Sequence, residues 1–104
     1  MADSTVIYAY TLEQAIDDGV LVEVFAENRP ALTGGKPIVA THAVHEAYTE
    51  DELAELWNRF RDWEREVMPG LPEEEQLFSS VMNGETVWVL EDGQAFTILF
   101  PDDY

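Results

Sequence analysis

The chain has 104 residues and no cysteine, and its 22 Asp and Glu against five Lys and Arg give a net charge of −17. The length predicts a single domain over residues 1–104, and the missing cysteines exclude disulfides and thiolate chemistry. The negative charge excludes direct nucleic-acid binding by phosphate neutralisation, because such binding depends on Lys and Arg. With no basic and apolar leader and no apolar run of about 18 residues, we expect a cytoplasmic protein that does not span a membrane.

The first half of the chain predicts short elements. Residues 5–10 are β-prone, and Thr11 with Gln14 forms a capping-box pattern that begins a helix, which Gly19 ends. Residues 20–25 are apolar and rich in valine, so we predict a central strand there. A loop with Pro and Gly, a short extended piece and a short helix follow at residues 26–36, 37–40 and 41–48.

A long amphipathic helix is the clearest predicted element. Thr49 and Glu52 have capping-box spacing, and Pro69–Gly70 ends the helix. Its outer face carries the ion-pair spacings Glu55–Arg59 and Asp62–Arg65. The predicted apolar stripe consists of Leu53, Leu56, Trp57, Phe60, Trp63 and Val67. An aromatic stripe at this spacing favours core packing over a platform for stacking bases, since no basic groove accompanies it.

The last third of the chain predicts a helix and then a hairpin. Pro followed by three Glu is typical of a helix start, and we predict a helix over residues 72–82, closed by Asn83–Gly84. Asp92-Gly93 between the apolar stretches 86–90 and 95–100 predicts a β-hairpin. The predicted fold class is therefore α+β, with a small antiparallel sheet and a C-terminal hairpin packed against three to four helices.

Three segments carry a family resemblance: YTLEQAIDDGVLVEV (Tyr10–Val24), PIVATHAV (Pro37–Val44) and FTILFPDD (Phe96–Asp103). Together they resemble a family of small uncharacterised proteins found in bacterial genomes and often carried on plasmids and other mobile elements. The resemblance implies a mobile-element context, in which inhibitors of host defence are common. It implies no catalytic residue, and the Glu-rich region 50–75 lies outside it.

The acidic residues are dense enough for a functional surface only where they cluster. A surface of about 5,900 Å² for this mass gives about one net negative charge per 350 Å², roughly a third of the density on duplex DNA. The acids predicted to form a phosphate-mimicking face are Glu50, Asp51, Glu52, Glu55, Asp62, Glu66, Glu73, Glu74 and Glu75. Helix capping explains part of this cluster without any function, because acids are favoured at helix N-termini.

Two kinds of function follow. The first is a non-catalytic acidic binding protein, a DNA mimic or anti-defence factor that occupies the basic surface of a nuclease or DNA-binding protein. The alternative is an accessory or homodimeric structural protein, associating through the hairpin edge or the helix that carries Trp57 and Trp63. In that alternative the acidity serves solubility or salt adaptation.

A small enzyme is the third hypothesis, and it depends on His42, His45 and Glu46. The order HAVHE matches neither zinc-protease signature, and no third ligand stands nearby. The adjacent pairs Asp17–Asp18 and Asp102–Asp103 do not predict carboxylates facing each other across a cleft. We therefore predict no catalytic residue, no metal and no cofactor.

Overall fold

The computed structural model describes residues 11–28 and 32–104, so the predicted strand at residues 5–10 lies outside the described part. Within it, three α-helices and five strands alternate with short 3₁₀ turns. The helices are α1 (Leu12–Asp17), α2 (His42–Ala47) and α3 (Glu50–Glu66). The strands are β1 (Leu21–Val24), β2 (Ile38–Thr41), β3 (Phe78–Met82), β4 (Glu85–Glu91) and β5 (Phe96–Leu99). The 3₁₀ turns are Ala26–Asn28, Met68–Gly70, Glu73–Glu75 and Pro101–Asp103.

The strands form one mixed sheet in the order β1-β2-β5-β4-β3. Neighbours are antiparallel except for β2 and β5, which are parallel with Ile38 beside Phe96 and Ala40 beside Ile98. The α+β class is confirmed, but the prediction of an antiparallel sheet is wrong for this central pair. The helices α2 and α3 and the strands β3 and β4 lie between β2 and β5 in the chain, a connection long enough for β5 to lie parallel to β2. The backbone N–H of Phe96 donates to the carbonyl of Pro37 at 2.9 Å where the pairing begins.

The N-terminal helix ends as its sequence predicts. Thr11 caps α1 through a reciprocal capping box with Gln14, and Gly19 adopts a left-handed φ of 79°. The N–H groups of Gly19 and Val20 bond the carbonyls of Ile16 and Ala15, which is the Schellman arrangement. The chain thereby reverses into β1.

The position of β1 corrects another prediction. It is an edge strand, not a central one, and Val22 and Glu23 are only half-buried. The middle strand is β5, and its neighbour β2 is the strand whose four residues are all buried. The strand β2, Ile38-Val39-Ala40-Thr41, is the only described strand in which no residue is exposed or half-buried. Full burial is expected for a strand that has neighbours on both sides and is covered on both faces.

The long helix α3 provides most of the core, as predicted. Leu53, Leu56, Trp57 and Phe60 are buried. The ring of Phe60 lies within 6.1 Å of the rings of Trp57, Trp63, Phe78 and Phe96. Val67, the last residue of the predicted stripe, is 48% exposed and lies past the helix end.

The helix predicted over residues 72–82 is wrong. Only one 3₁₀ turn forms at Glu73–Glu75, and β3 follows. Asn83 and Gly84 have φ values of 55° and 83°, so they form a two-residue hairpin turn of the kind that suits strand twist. Phe78, Val81 and Met82 also fit a helical stripe, but pairing with β4 prevails and leaves Val81 63% exposed.

The sheet has two different faces. The helix face carries Ile38, Ala40, Phe96 and Ile98, which pack with α2 and α3 in the main core. The cleft face carries Val39, which packs in a smaller cluster with Ala15 of α1, Leu21 and Ala95. No helix in the described ranges is long and apolar enough to cross a membrane.

Candidate partner-binding surface

The N-terminal end of α3 carries three acids with different roles. Glu50 and Asp51 are exposed in the first turn. Glu52 accepts from the N–H of Thr49 at 2.9 Å and from the side-chain amide of Asn83 at 2.7 Å. The Asn83 bond is the main cause that lowers the pKa of Glu52, and the bond from Thr49 adds to it. Glu52 is therefore a structural cap, as the capping-box prediction said.

Acids from other elements join this end of the helix. The hydroxyl of Tyr48 donates to the carbonyl of Met82 at 2.9 Å, and Glu85 lies opposite Met82 in the β3–β4 pairing. Burial raises the pKa of Tyr48, and the charges of Glu85 and Glu52 raise it further. Glu23 and Glu50 line one hollow of about 250 Å³ together with Tyr48. We call this group the N-terminal pole; it consists of Glu23, Glu50, Asp51, Glu52 and Glu85. Sequence reasoning missed Glu23 and Glu85, since only strand pairing brings them here.

A second group of acids lies past the other end of α3. Glu73, Glu74 and Glu75 form an exposed 3₁₀ turn, which we call the C-terminal pole. The side chain of Gln76 holds this loop by donating to the carbonyls of Met68 and Leu71 at 3.3 and 3.0 Å. With 17 residues and a rise of 1.5 Å per residue, the helix between the N-terminal pole and the loop that carries the C-terminal pole is about 25 Å long.

Between the poles, the predicted acids are paired with arginines. Glu55 is bound by Arg59, and Asp62 by Arg65 at 2.6 Å, so both predicted ion pairs form. Arg65 also lies 3.5 Å from Glu66. The hydrogen bond that Arg65 donates to Asp62 is the main cause that raises the pKa of Arg65. The outer face of α3 is therefore a chain of ion pairs.

The remaining bases of the described part are also engaged. Arg61 pairs with Glu64 at 2.8 Å, and its guanidinium lies 5.3 Å from the ring of Trp57. Lys36 pairs with Glu91 at 3.0 Å and lies 5.1 Å from the ring of Phe96. Both are held against the edge of the aromatic core.

The nine predicted site residues thus do not form one continuous face. Glu50, Asp51 and Glu52 lie at one pole and Glu73, Glu74 and Glu75 at the other, while Glu55, Asp62 and Glu66 are ion-paired between them. The carboxylates without a basic partner are concentrated at the two poles of this set.

Of the two histidines of α2, His45 lines the same hollow as Glu23 and Glu50 of the N-terminal pole. His42 and His45 are exposed, and the Nε2 atom of His42 lies 3.0 Å from a carboxylate oxygen of Glu46. Among residues 11–28 and 32–104, no group of three His, Cys, Asp or Glu gathers in a geometry that would hold a metal.

The aromatic residues of α3 are not a surface. Trp57 and Phe60 are 2% and 3% exposed, so they are available neither for stacking bases nor for a dimer contact. The most exposed apolar side chain on a sheet edge in the described part is Val81 of β3. Trp63 is half-buried, so of the two predicted dimer surfaces the hairpin edge with Val81 is the more exposed.

A cleft of about 330 Å³ opens on the cleft face, between α1 and the C-terminal hairpin. Its apolar lining comes from Leu12 and Ala15 of α1 and from Leu21, Leu90 and Leu99 of the sheet. Its polar lining includes the threonines at positions 11, 41 and 97 and the acids Glu91 and Asp92. The described lining contains no Lys, Arg or His.

The chain matches no protein-family model, no curated protein and no solved structure. The family resemblance of its three segments therefore stays a prediction.

Proposed function

We propose that this chain is a non-catalytic acidic binding protein that occupies a basic, nucleic-acid-binding surface on another protein. One observation carries the proposal: each Lys and Arg in the described part is paired with a carboxylate. Among the described residues, the exposed acids Glu50, Asp51 and Glu73–Glu75 have no such partner. The described bases are thus committed within the molecule, while the carboxylates of these five acids could bind cations of a partner.

The length of the helix between the poles refines the form of mimicry. About 25 Å equals the axial length of about seven base pairs. The paired middle of α3 lies between, so the poles would contact two basic patches and not one continuous groove. The Debye length is about 10 Å at 0.1 M salt and about 30 Å at 0.01 M. The poles should therefore act independently at 0.1 M salt and together at 0.01 M.

The mobile-element context implied by the sequence resemblance makes a host defence nuclease our preferred partner. Such enzymes bind duplex phosphates through Lys and Arg. Opposed charge would accelerate association and would make the affinity strongly salt-dependent.

Affinity capture with DNA competition tests the proposal. Immobilised protein is exposed to nuclease-treated bacterial lysate at about 50 mM NaCl, and bound proteins are eluted with duplex DNA or with about 300 mM NaCl. We expect DNA-handling proteins in both eluates. Binding of the purified partner is then measured for Glu50→Gln/Asp51→Asn and for Glu73→Gln/Glu74→Gln. Each pair should weaken binding roughly three- to tenfold, the range for two surface ion pairs.

The matched control removes two exposed acids that lie in neither pole nor the cleft, through Glu27→Gln/Glu46→Gln in the 3₁₀ turn after β1 and in α2. It should bind almost as the wild type does. Bound proteins that neither DNA nor salt releases, or equal losses in the control and the pole variants, would contradict the proposal.

The homodimer alternative has one supporting observation, the exposed Val81 on edge strand β3. Unpaired strand edges and apolar side chains on them promote association. Light scattering at about 0.5 M NaCl, where charge repulsion is screened, distinguishes the two. A dimer that Val81→Lys dissociates would favour the alternative, and a monomer at every salt concentration would eliminate it.

A further inference from the structure

The cleft on the sheet face opposite α3 has the composition of a binding pocket. Its volume of about 330 Å³ lies at the lower end of the roughly 300–1,000 Å³ range of ligand pockets. Four leucines and two alanines supply most of its apolar lining, and three threonines and two acids are among its polar residues. A few polar groups around an apolar lining are typical of a specific site.

We propose that this cleft receives an apolar side chain of the protein partner, of leucine size, flanked in the partner's sequence by Lys or Arg. The inference rests on the proposed function and specifies the chemistry of that partner. The cleft would supply the apolar anchor, and the surrounding carboxylates would select a basic segment.

The charge of the cleft's surroundings identifies the occupant as basic. Of the four bases in the described part, three are on α3, across the sheet, and Lys36 lies at the edge of the cleft, bound to Glu91 and to the carbonyl of Asp92. The described elements around the cleft also carry the acids Glu13, Asp17, Asp92 and Asp102 and no further Lys or Arg, so acids outnumber bases there. An anionic ligand is therefore disfavoured.

A second copy of the chain is a poor occupant for two reasons. Each copy carries a net charge of −17, so two copies repel at low salt. A stable interface also buries about 800 Å² per partner, whereas this cleft admits only a few side-chain atoms. A cleft of this size fits an anchor within a larger contact, where a few buried side chains supply most of the affinity.

Three matched peptides test the proposal on the full chain by ¹⁵N–¹H NMR at about 20 mM salt. Acetyl-Arg-Leu-Leu-Arg-amide is the probe, the same peptide with Gly-Gly in place of Leu-Leu removes the anchor, and the version with Glu in place of Arg reverses the charge. We expect saturable shifts of the amides of Leu12, Thr97 and Leu99 with the probe. The Gly peptide should bind at least about tenfold more weakly, the effect of losing one buried leucine, and the Glu peptide should cause no saturable shift.

Two protein variants test whether the probe peptide binds in the cleft. Thr97→Phe fills it, because Thr97 is half-buried in β5 and lines the cleft. Thr86→Phe adds the same group on the same sheet face, at an exposed position of β4 outside the cleft. Thr97→Phe should weaken probe binding about tenfold or more, whereas Thr86→Phe should bind as the wild type does. Thermal unfolding of both variants shows whether the fold is kept.

The outcomes separate this inference from the proposed function. Equal binding of the Leu and Gly peptides, or shifts confined to the poles, would overturn the cleft proposal while leaving a charge-driven partner intact. Unchanged probe binding by a folded Thr97→Phe would overturn it as well. A cleft that binds the probe, in a protein that captures no DNA-releasable partner, would contradict the proposed function alone.

Discussion

The two faces of the sheet differ in whether their carboxylates are paired with basic side chains. On the helix face, Arg59, Arg61 and Arg65 lie along α3, and each is paired with a carboxylate. On the cleft face, the described lining of the cleft has acids and no base. The described bases are therefore not distributed evenly over the two faces.

The contacts of these bases explain where they lie. Arg59 donates to the carbonyl of Val81 at 3.1 Å, Arg61 to that of Leu32 at 3.3 Å, and Lys36 to that of Asp92. These three bases thus join their own elements to distant segments and also pair with carboxylates, whereas the described partners of Arg65, Asp62 and Glu66, lie within α3. The described bases therefore mainly hold the fold together, and the acids that they leave unpaired define the surfaces that we propose for a partner.

The largest expected effect compares packing on the two faces. Phe60→Ala removes a buried ring from the aromatic core and should lower the free energy of unfolding by about 3–5 kcal/mol. Leu90→Ala removes a half-buried side chain from the cleft and should lower it by only about 1 kcal/mol. Urea unfolding of both variants measures the difference. A loss at Leu90 as large as at Phe60 would mean that the cleft face is a second packed core and not an open surface.

A smaller loss of stability is expected from glycine substitutions in the β3–β4 and β4–β5 hairpin turns. Gly84 has a φ of 83°, so Gly84→Ala should cost about 1–2 kcal/mol of stability through backbone strain alone. Gly93, in the second hairpin, does not have this conformation, and Gly93→Ala should be close to neutral. No described atom lies within 4 Å of a Cβ built at either glycine, so steric clash does not contribute. Equal urea midpoints for the two variants would contradict the role of the Asn83–Gly84 turn.

The sequence predicts the elements whose signals are local. The capping boxes at Thr11 and Thr49, the end of α1 at Gly19, and both α3 ion pairs form as expected. Each depends on residues within four positions of one another, where backbone geometry alone decides the contact.

The failures depend on distant partners. Residues 78–82 fit both a helical stripe and a strand, and only pairing with β4 decides between them. The Asn83–Gly84 pair was interpreted as a helix end although it is also the strongest hairpin signal. The edge position of β1 likewise follows from the parallel entry of β5, which no local pattern indicates.

The candidate surfaces divide in the same way. The acids at residues 50–52 and 73–75 are adjacent in sequence and were predicted. Glu85 joins them across a strand pairing, and the cleft arises where α1, β4 and β5 meet. No spacing in the sequence indicates either of these.

The smallest expected effect is a difference in sign between two changes in the free energy of unfolding. It tests whether the two faces differ in how their carboxylates are paired. Asp17 lies in the last turn of α1, where the helix dipole disfavours an acid, and no described base pairs with it. Asp17→Asn should therefore raise the free energy of unfolding by about 0.3–1 kcal/mol at 10 mM NaCl. Glu55 is paired with Arg59 on the helix face, and Glu55→Gln should lower the free energy of unfolding by about 0.3–0.5 kcal/mol.

Both variants remove one exposed negative charge, so relief of the overall repulsion is common to them and cannot produce opposite signs. Urea midpoints at 10 mM and 500 mM NaCl measure the contrast, which should shrink at the higher salt because the charges are screened. If both variants stabilise the protein equally, repulsion among all carboxylates outweighs local pairing, and the distinction between a neutralised face and an acidic one fails.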